Sequence, residues 1–142
     1  MMKVLLLNNI SNIAVNIFKD EKYEVDIYNQ LTPNELKQII GQYHIVGIRS
    51  KTHLSEDILQ YAKNLIVIGH FCIGTDQTDL NYARTIGIPV FNSPFCNTRS
   101  VAELVIGFMI MLSRKIGDKN TEMHNSIWNK TSKTCYELRS KT

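Results

Sequence analysis

Short polar segments follow three apolar runs of the sequence, and their side chains are of kinds that bind anions. The first segment is Arg49-Ser50-Lys51-Thr52, which combines a guanidinium, an ammonium and two hydroxyl groups. A guanidinium donates parallel hydrogen bonds to a carboxylate or a phosphate, and an ammonium adds a point charge. The segment therefore indicates either an anion site or a solvated loop whose threonine leads into a helix.

The second segment is Gly69-His70-Phe71-Cys72-Ile73-Gly74-Thr75-Asp76. A glycine near each end allows tight turns and leaves backbone N–H groups free to face an anion. The segment is not a phosphate-binding P-loop, because the lysine of that motif is absent, and a plain turn stays an open alternative. No second ligand pair accompanies His70 and Cys72 at a useful spacing, so both are predicted to be packing residues.

The third segment runs from Asn92 to Ser100 and precedes a long apolar stretch. Amide side chains and the free N–H groups of a helix start can together hold a carbonyl or a carboxylate. Ordinary capping would explain Thr98 and Ser100 but leaves Asn97 and Arg99 without a role. The sequence contains no G-x-G-x-x-G and no histidine–carboxylate pair that spacing alone supports, so these residues do not form a complete catalytic set.

The composition is that of an ordinary folded domain. The chain has 142 residues, of which 44% are apolar and 20% charged; these values exclude disordered, collagen-like and low-complexity classes. Its net charge of +3 is too small to indicate a nucleic-acid or membrane partner. No apolar run reaches the roughly 20 residues that a membrane-spanning helix needs.

The cysteines predict a reducing environment. Cys72, Cys96 and Cys135 are an odd number without a C-x-x-C, so neither a disulfide framework nor a zinc finger is indicated. The apolar run at the start, Val4–Leu7, is much shorter than the core of a signal peptide. We therefore expect a cytoplasmic protein with reduced thiols and no bound metal.

Short apolar runs alternate with segments of helical period, which predicts a parallel sheet wrapped by helices. Helix starts are predicted at Ser11, at Thr32-Pro33-Asn34-Glu35, at Ser55 and at Asp79. The fold class is thus a doubly wound α/β unit with a flavodoxin-like strand order, in which ligands bind beyond the carboxyl ends of the strands. The predicted strands are Val4–Leu7, Val25–Tyr28, Ile45–Ile48, Leu65–Ile68 and Ile88–Phe91.

For two of the helices, the sequence pattern also predicts which residues are packed. The first is expected to bury Ile13, Ile17 and Phe18. The long helix, from Thr98 or Ser100 to about Arg114, is apolar on nearly every side, so we expect more than one neighbouring element to pack against it. A more polar helix from about 118 to 127 follows, and then Trp128, which is either a core residue or an interface anchor.

Several long segments resemble a known family, in the family's order and over essentially the whole chain. They are Ile48–Leu54, Gly69–Gln77, Gly87–Asn92, Asn97–Gly107 and Trp128-Asn129-Lys130. In these segments the chain is similar to the D-3-phosphoglycerate dehydrogenases of the bacterial serine-pathway type, a branch of the D-isomer-specific 2-hydroxyacid dehydrogenases.

The resemblance implies an oxidoreductase of serine biosynthesis that passes hydride between NAD and 3-phosphoglycerate. Arg49 and Ser50 would contact the anionic groups of the substrate, and the backbone amides of Ile73 and Gly74 would hold its carboxylate. Ile73 would also lie near the nicotinamide, and Asn97 would face substrate and cofactor from the hinge.

The resemblance also implies a domain organisation. Residues 1–97 would be the first segment of the substrate-binding (catalytic) domain, and residues 98–142 a long hinge helix and the opening helices of an incomplete NAD-binding domain. The family's cofactor fingerprint would follow Tyr136–Thr142, and its catalytic arginine, glutamate and histidine are not found in this sequence. We therefore expect an amino-terminal fragment that is inactive by itself.

Two other functions are weighed against this expectation. The chain could be an interaction fragment that docks on an intact dehydrogenase subunit through helix 100–114 and Trp128, the same surface through which a homo-oligomer is expected. A flavodoxin or receiver module is disfavoured, because Asn8 and Asn9 stand after the first strand where such modules carry acidic residues.

Overall fold

A five-stranded sheet in which every strand pair is parallel organises the first part of the chain. The strand order is β2-β1-β3-β4-β5, which is the flavodoxin-like order and confirms the predicted fold class. The strands are β1 (Lys3–Leu7), β2 (Glu24–Tyr28), β3 (Ile45–Ile48), β4 (Val67–His70) and β5 (Val90–Asn92).

Helices connect successive strands, and several begin at the predicted caps. Thr32 and Glu35 form a capping box, in which each side chain bonds the other residue's backbone N–H, and the Thr32 N–H and hydroxyl lower the pKa of the Glu35 carboxyl. Ser11 and Asp79 cap their helices with side-chain oxygens. The helices are α1 (Asn12–Asp20), α2 (Pro33–Ile39), α3 (Glu56–Leu59), α4 (Leu80–Thr85), α5 (Thr98–Ser113) and α6 (Ile116–His124), with a 3₁₀ turn over Ile40–Gln42.

The structure is a computed structural model that describes residues 1–139, and the chain divides into two compact units. The amino-terminal unit is Met1–Cys96 and contains the whole sheet, whereas the carboxy-terminal unit begins at Asn97 and contains α5 and α6. Residues 140–142, the end of the segment expected to lead into the cofactor fingerprint, lie outside the described residues.

The core of the amino-terminal unit lies on both faces of the sheet. Side chains alternate between faces along a strand, so Leu5 and Leu7 belong to the larger cluster, whereas Val4 and Leu6 belong to a smaller one. All of β1 from Val4 onward is fully buried. This explains why its sequence is a continuous apolar run rather than an alternating one.

The predicted buried face of α1 is wrong in part. Ile13 and Ile17 are 72% and 58% exposed, whereas Val15 is buried and Phe18 packs against the smaller cluster. Two apolar stripes compete on this short helix, and the stripe that contains Val15 and Phe18 faces the sheet. Spacing alone did not distinguish them.

The last two strands begin two residues later than predicted. Leu65 and Ile88 are buried but lie before β4 and β5, and the strands continue through His70 and Asn92. His70 therefore lies at the end of a strand rather than in a loop. The predicted N-cap of α5 is also wrong, since Thr98 is its first helical residue and Asn97 precedes it.

In the carboxy-terminal unit, α5 is joined to α6 through Lys115, which adopts a left-handed conformation with φ of 53°. The segment after α6 contacts the end of α5, since the Tyr136 N–H donates to the Ser113 carbonyl over 2.8 Å. Within residues 1–139, no helix has both the length and the apolar character needed to cross a membrane.

A pair of glycines at the centre of the sheet makes room for an aromatic ring. Gly47 of β3 pairs with Gly69 of β4, and Phe71, the first residue after β4, lies against both. A Cβ atom on Gly47 would come within 2.6 Å of Leu6 and 2.9 Å of the Phe71 ring, whereas one on Gly69 would meet that ring at an ordinary 3.7 Å. The ring holds the start of the loop after β4 against the sheet.

Gly47→Ala is expected to lower the free energy of unfolding by about 1–3 kcal/mol, because the added methyl group overpacks a fully buried site. Gly69→Ala, at the adjacent strand position, is the matched control and is expected to change stability by less than about 0.5 kcal/mol. Urea unfolding of both variants measures the difference. Equal costs would contradict this account of the packing.

Candidate functional site

The candidate site lies beyond the carboxyl ends of the strands, where the predicted anion-binding segments begin. Residues that follow β1, β2 and β3 line a small cavity of about 140 Å³. Its lining is polar and includes the predicted pair Arg49 and Ser50, together with Lys51. The structure thus places the predicted cations at one shared edge of the sheet. The other lining residues are Asn8, Asn9 and Asn29.

Asn8 ties three strand ends together at this cavity. Its side chain accepts a hydrogen bond from the Arg49 N–H over 3.3 Å and donates one to the Asn29 carbonyl over 3.3 Å. Asn8 is buried and has a φ of 68°, a left-handed conformation that asparagine tolerates better than most residues. It therefore positions the backbone of Arg49 from the wall of the cavity.

The loop after β4 has its carbonyl groups held by the protein. The Cys72 carbonyl accepts from the Ser93 N–H over 3.0 Å, and the Ile73 carbonyl accepts from the Asn92 side chain over 2.7 Å. The Gly74 carbonyl is held by His70, whose Nδ1 lies 3.0 Å away. The orientations of three successive peptide groups are therefore fixed.

The N–H groups of the same peptides are left for a ligand. In a trans peptide the N–H points opposite to the C=O, so the N–H groups of Ile73 and Gly74 point away from β5, which holds their peptide carbonyls. In the strand order, the side away from β5 is the side of β3, the strand that Arg49 follows. Among the described residues, the N–H groups of Ile73, Gly74 and Thr75 have no hydrogen-bond acceptor.

Two charges flank this loop with opposite effects. Burial raises the pKa of the Cys72 thiol, and the Arg49 charge lies close enough to oppose part of this effect. Asp76 also lies close to the loop, since a Cβ atom on Gly74 would approach its carboxylate to 2.6 Å. An anion at the loop is thus attracted by Arg49 and repelled by Asp76.

His70 is buried at the end of β4, as predicted, but it also makes two polar contacts. Its Nε2 lies 2.7 Å from the Thr78 hydroxyl, and its Nδ1 faces Gly74 as described above. Burial lowers the pKa of its imidazole, against smaller opposing effects of the Gly74 carbonyl and Asp76. Burial thus favours the neutral ring.

The structure places four of the five predicted site residues after the neighbouring strands β3 and β4: Arg49, Ser50, Ile73 and Gly74. Of these, Arg49 and Ser50 line the cavity described above. Asn97 belongs to the carboxy-terminal unit, and its side chain makes no capping bond to α5; its role beside substrate and cofactor stays a prediction. Among residues 1–139, no group of three histidine, cysteine, aspartate or glutamate side chains is arranged to hold a metal ion.

Sequence reasoning missed the residues that position the site. The sequence uses Asn8 only as an argument against a receiver module, places Asn92 in a loop and indicates no role for Thr78. Each acts through a contact distant in sequence, so neighbouring residues carry no signal for it. The left-handed pair Asn8-Asn9 is the exception, because consecutive asparagines after a strand are typical of such a turn.

Comparison with known proteins identifies the family. The family model described as D-isomer specific 2-hydroxyacid dehydrogenase, catalytic domain, matches residues 4–141. The chain belongs to this family, and the prediction made from its motifs is confirmed.

The individual relatives belong to one branch of this family, the D-3-phosphoglycerate dehydrogenases. The chain is 54% identical over 142 residues to D-3-phosphoglycerate dehydrogenase 2 of Saccharomyces cerevisiae, covering 99% of this chain and 30% of that protein. It is 52% identical to D-3-phosphoglycerate dehydrogenase of Dictyostelium discoideum, covering 99% and 35%. The chain therefore spans about a third of the length of these relatives.

A solved structure shares the fold at a lower identity. It is the NAD⁺-bound 3-phosphoglycerate dehydrogenase of Entamoeba histolytica, which is 26% identical and superposes with a TM-score of 0.70. The match covers 80% of this chain and 40% of that one.

Asn8→Ala is expected to lower the free energy of unfolding by about 2–3 kcal/mol, from two lost hydrogen bonds and a left-handed backbone. Asn9→Ala is the matched control: Asn9 is also left-handed, with φ of 53°, but it is exposed, so only about 1 kcal/mol is expected. Thermal or urea unfolding compares them. If the Asn9 variant lost as much stability as the Asn8 variant, Asn8 would not be the tie between strand ends.

Proposed function

We propose that this chain supplies the substrate-binding side of an NAD-dependent D-3-phosphoglycerate dehydrogenase acting in the cytoplasm. The reaction oxidises the C2 alcohol of 3-phospho-D-glycerate to the ketone of 3-phosphohydroxypyruvate: hydride leaves C2 for NAD and the hydroxyl proton is released. The observation that carries the proposal is the pairing of Arg49 with a loop whose free N–H groups face it. The family and the names of its relatives support the choice of substrate.

The chain's residues bind and orient the substrate. The guanidinium of Arg49 and the hydroxyl of Ser50 bind its anionic groups, while the N–H groups of Ile73 and Gly74 hold its carboxylate. Charge-assisted bonds from backbone N–H groups are strong and, because the opposite carbonyls are fixed, cost little reorganisation on binding. The substrate is thereby held with C2 beyond the end of β4.

The residues present also fit one face of the cofactor, which supplies the hydride acceptor when it binds. Ile73 is an apolar side chain at the rim of the site and is 42% exposed, so it can pack on a flat nicotinamide ring. Asn97 would donate and accept hydrogen bonds toward substrate and cofactor from the hinge. The adenosine side of NAD requires groups that none of these residues provides.

The domain assignment follows from the same proposal. Residues 1–97 form the first segment of the substrate-binding domain, and residues 98–142 contribute the hinge helix and the opening of the NAD-binding domain. The 142-residue chain contains no G-x-G-x-x-G, so by itself it is expected to bind substrate without forming NADH.

Arg49→Ala is expected to weaken binding of 3-phosphoglycerate to the chain by about 10- to 100-fold, the value of hydrogen bonds to a charged group. Isothermal titration calorimetry measures the dissociation constants. Arg84→Ala is the matched control, since Arg84 lies in the last turn of α4, at the opposite end of the sheet, and its loss should change nothing. Equal affinities of the two variants, or no binding by the unaltered chain, would contradict the proposal.

A second candidate function is docking on another dehydrogenase subunit, or on a second copy of this chain. The observation in its favour is the surface of the carboxy-terminal unit: Leu112 of α5 is 79% exposed and Trp128 is 77% exposed. Apolar side chains exposed on this scale mark an interaction surface. The other large exposed apolar residues of α5 are Val101, Leu104, Val105, Ile106, Phe108, Met109, Ile110 and Met111.

Leu112→Glu is expected to shift the chain toward monomer, because a charge on the apolar face must be desolvated on association. Sedimentation velocity over a range of concentrations, with and without an intact D-3-phosphoglycerate dehydrogenase, measures this. Ile13→Glu is the matched control, since Ile13 is equally exposed but lies on α1. A concentration-independent monomer that forms no complex with the intact enzyme would rule out docking through α5.

A further inference from the structure

We propose that His70 is a positioning residue for the carboxylate-binding loop: it fixes the peptide between Gly74 and Thr75, so that the Thr75 N–H joins those of Ile73 and Gly74 in binding the substrate carboxylate. The inference rests on the proposed function and adds a third contact and the residue that sets it.

The contacts of His70 define which ring nitrogen carries the proton. The Gly74 carbonyl can only accept a hydrogen bond, so Nδ1, at 3.0 Å, must be the donor. In the neutral ring Nε2 then accepts from the Thr78 hydroxyl over 2.7 Å. Both nitrogens are satisfied with one proton on the ring, and that proton points at the loop.

The far side of this arrangement is rigid. Thr78 is 5% exposed, and its N–H donates to the Thr75 carbonyl over 3.1 Å. Thr78 also forms a bridge with Leu54, a fully buried residue before α3. The ring of His70 is thus held between the core and the loop, and it transmits the position of the core to Gly74.

The consequence falls on the next N–H in the chain. The Gly74 carbonyl and the Thr75 N–H belong to one planar peptide and point in opposite directions. Because His70 approaches from the core, the Thr75 N–H faces outward, and no described residue accepts from it. The two preceding peptides are fixed in a similar way: the Asn92 side chain donates to the Ile73 carbonyl, and the Ser93 N–H donates to the Cys72 carbonyl.

This third donor also bears on the charge balance of the loop. Asp76 lies beside Gly74 and accepts from the Gln77 side chain over 2.9 Å, so its carboxylate opposes an incoming anion. A run of oriented N–H groups provides partial positive charge at the same place. Holding the Thr75 N–H outward therefore offsets part of that repulsion.

Two substitutions separate positioning of the loop from filling of the core. In His70→Asn, the amide nitrogen reaches the place of Nδ1 and can still donate to Gly74. In His70→Gln the longer amide reaches Thr78 instead, and the Gly74 carbonyl keeps only the weak contact with the Cys72 thiol, whose Sγ lies 3.4 Å away. Each variant keeps one polar contact in a buried site. We expect the Asn variant to bind 3-phosphoglycerate within about threefold of the unaltered chain and the Gln variant to bind about tenfold more weakly.

Calorimetry measures the affinities, and urea unfolding of both variants reports the structural cost separately. Equal affinities for the two variants, or stronger binding by the Gln variant, would overturn the inference. If the unaltered chain binds 3-phosphoglycerate but the Gln variant binds equally well, the inference fails while the proposed function stands. If the unaltered chain does not bind it, the proposed function fails and the contact assigned to Thr75 fails with it.

A measurement on the unaltered chain covers the case in which a variant does not fold. The nitrogen-15 shifts of the His70 ring distinguish the two neutral tautomers. We expect the proton on Nδ1 at neutral pH, together with a shift of the Thr75 amide on addition of 3-phosphoglycerate. A proton on Nε2, or a Thr75 amide unmoved at saturation, would overturn the assignment.

Discussion

The site depends on the register of three neighbouring strands, β3, β4 and β5, which aligns their carboxyl ends. Ile48 of β3 pairs with His70 of β4, and His70 pairs with Asn92 of β5. The residues that follow these strands therefore leave the sheet side by side. This register lets Asn92 reach the Ile73 carbonyl and brings Arg49 near Cys72. A slip of one residue would turn His70 to the other face and release Gly74.

Much of the fold could be predicted because its signals are local. The capping box at Thr32 and the buried run of β1 involve residues close together in sequence. The errors arose where a choice depended on distant contacts. Apolar spacing offered two faces for α1, and only packing on the sheet selects Val15 over Ile13. The sequence ends the fourth strand at Ile68, whereas pairing with β3 extends it to His70.

In the candidate site, too, residues could be predicted where the signal is local and could not where it depends on distant contacts. Residues whose own chemistry suits an anion, such as Arg49 and the unpaired N–H groups near Gly74, could be proposed from type and position after a strand. Residues that act by positioning others could not be predicted. His70 is buried, as predicted, but its polar contacts with Gly74 and Thr78 carry no sequence signal. Buried polar groups must be paired, so a buried histidine implies a hydrogen-bond partner, but the sequence does not show which residue that partner is.

In the proposed function, Arg49 and the N–H groups of Ile73 and Gly74 form one anion-binding site. Amide resonances of the isotopically labelled chain, titrated with 3-phosphoglycerate, test it most directly. These residues should shift together with a single dissociation constant, and glycerol 3-phosphate, which lacks the carboxylate, should leave Ile73 and Gly74 unmoved. Shifts at Arg49 without shifts at Ile73 and Gly74, or equal shifts with both ligands, would contradict the account.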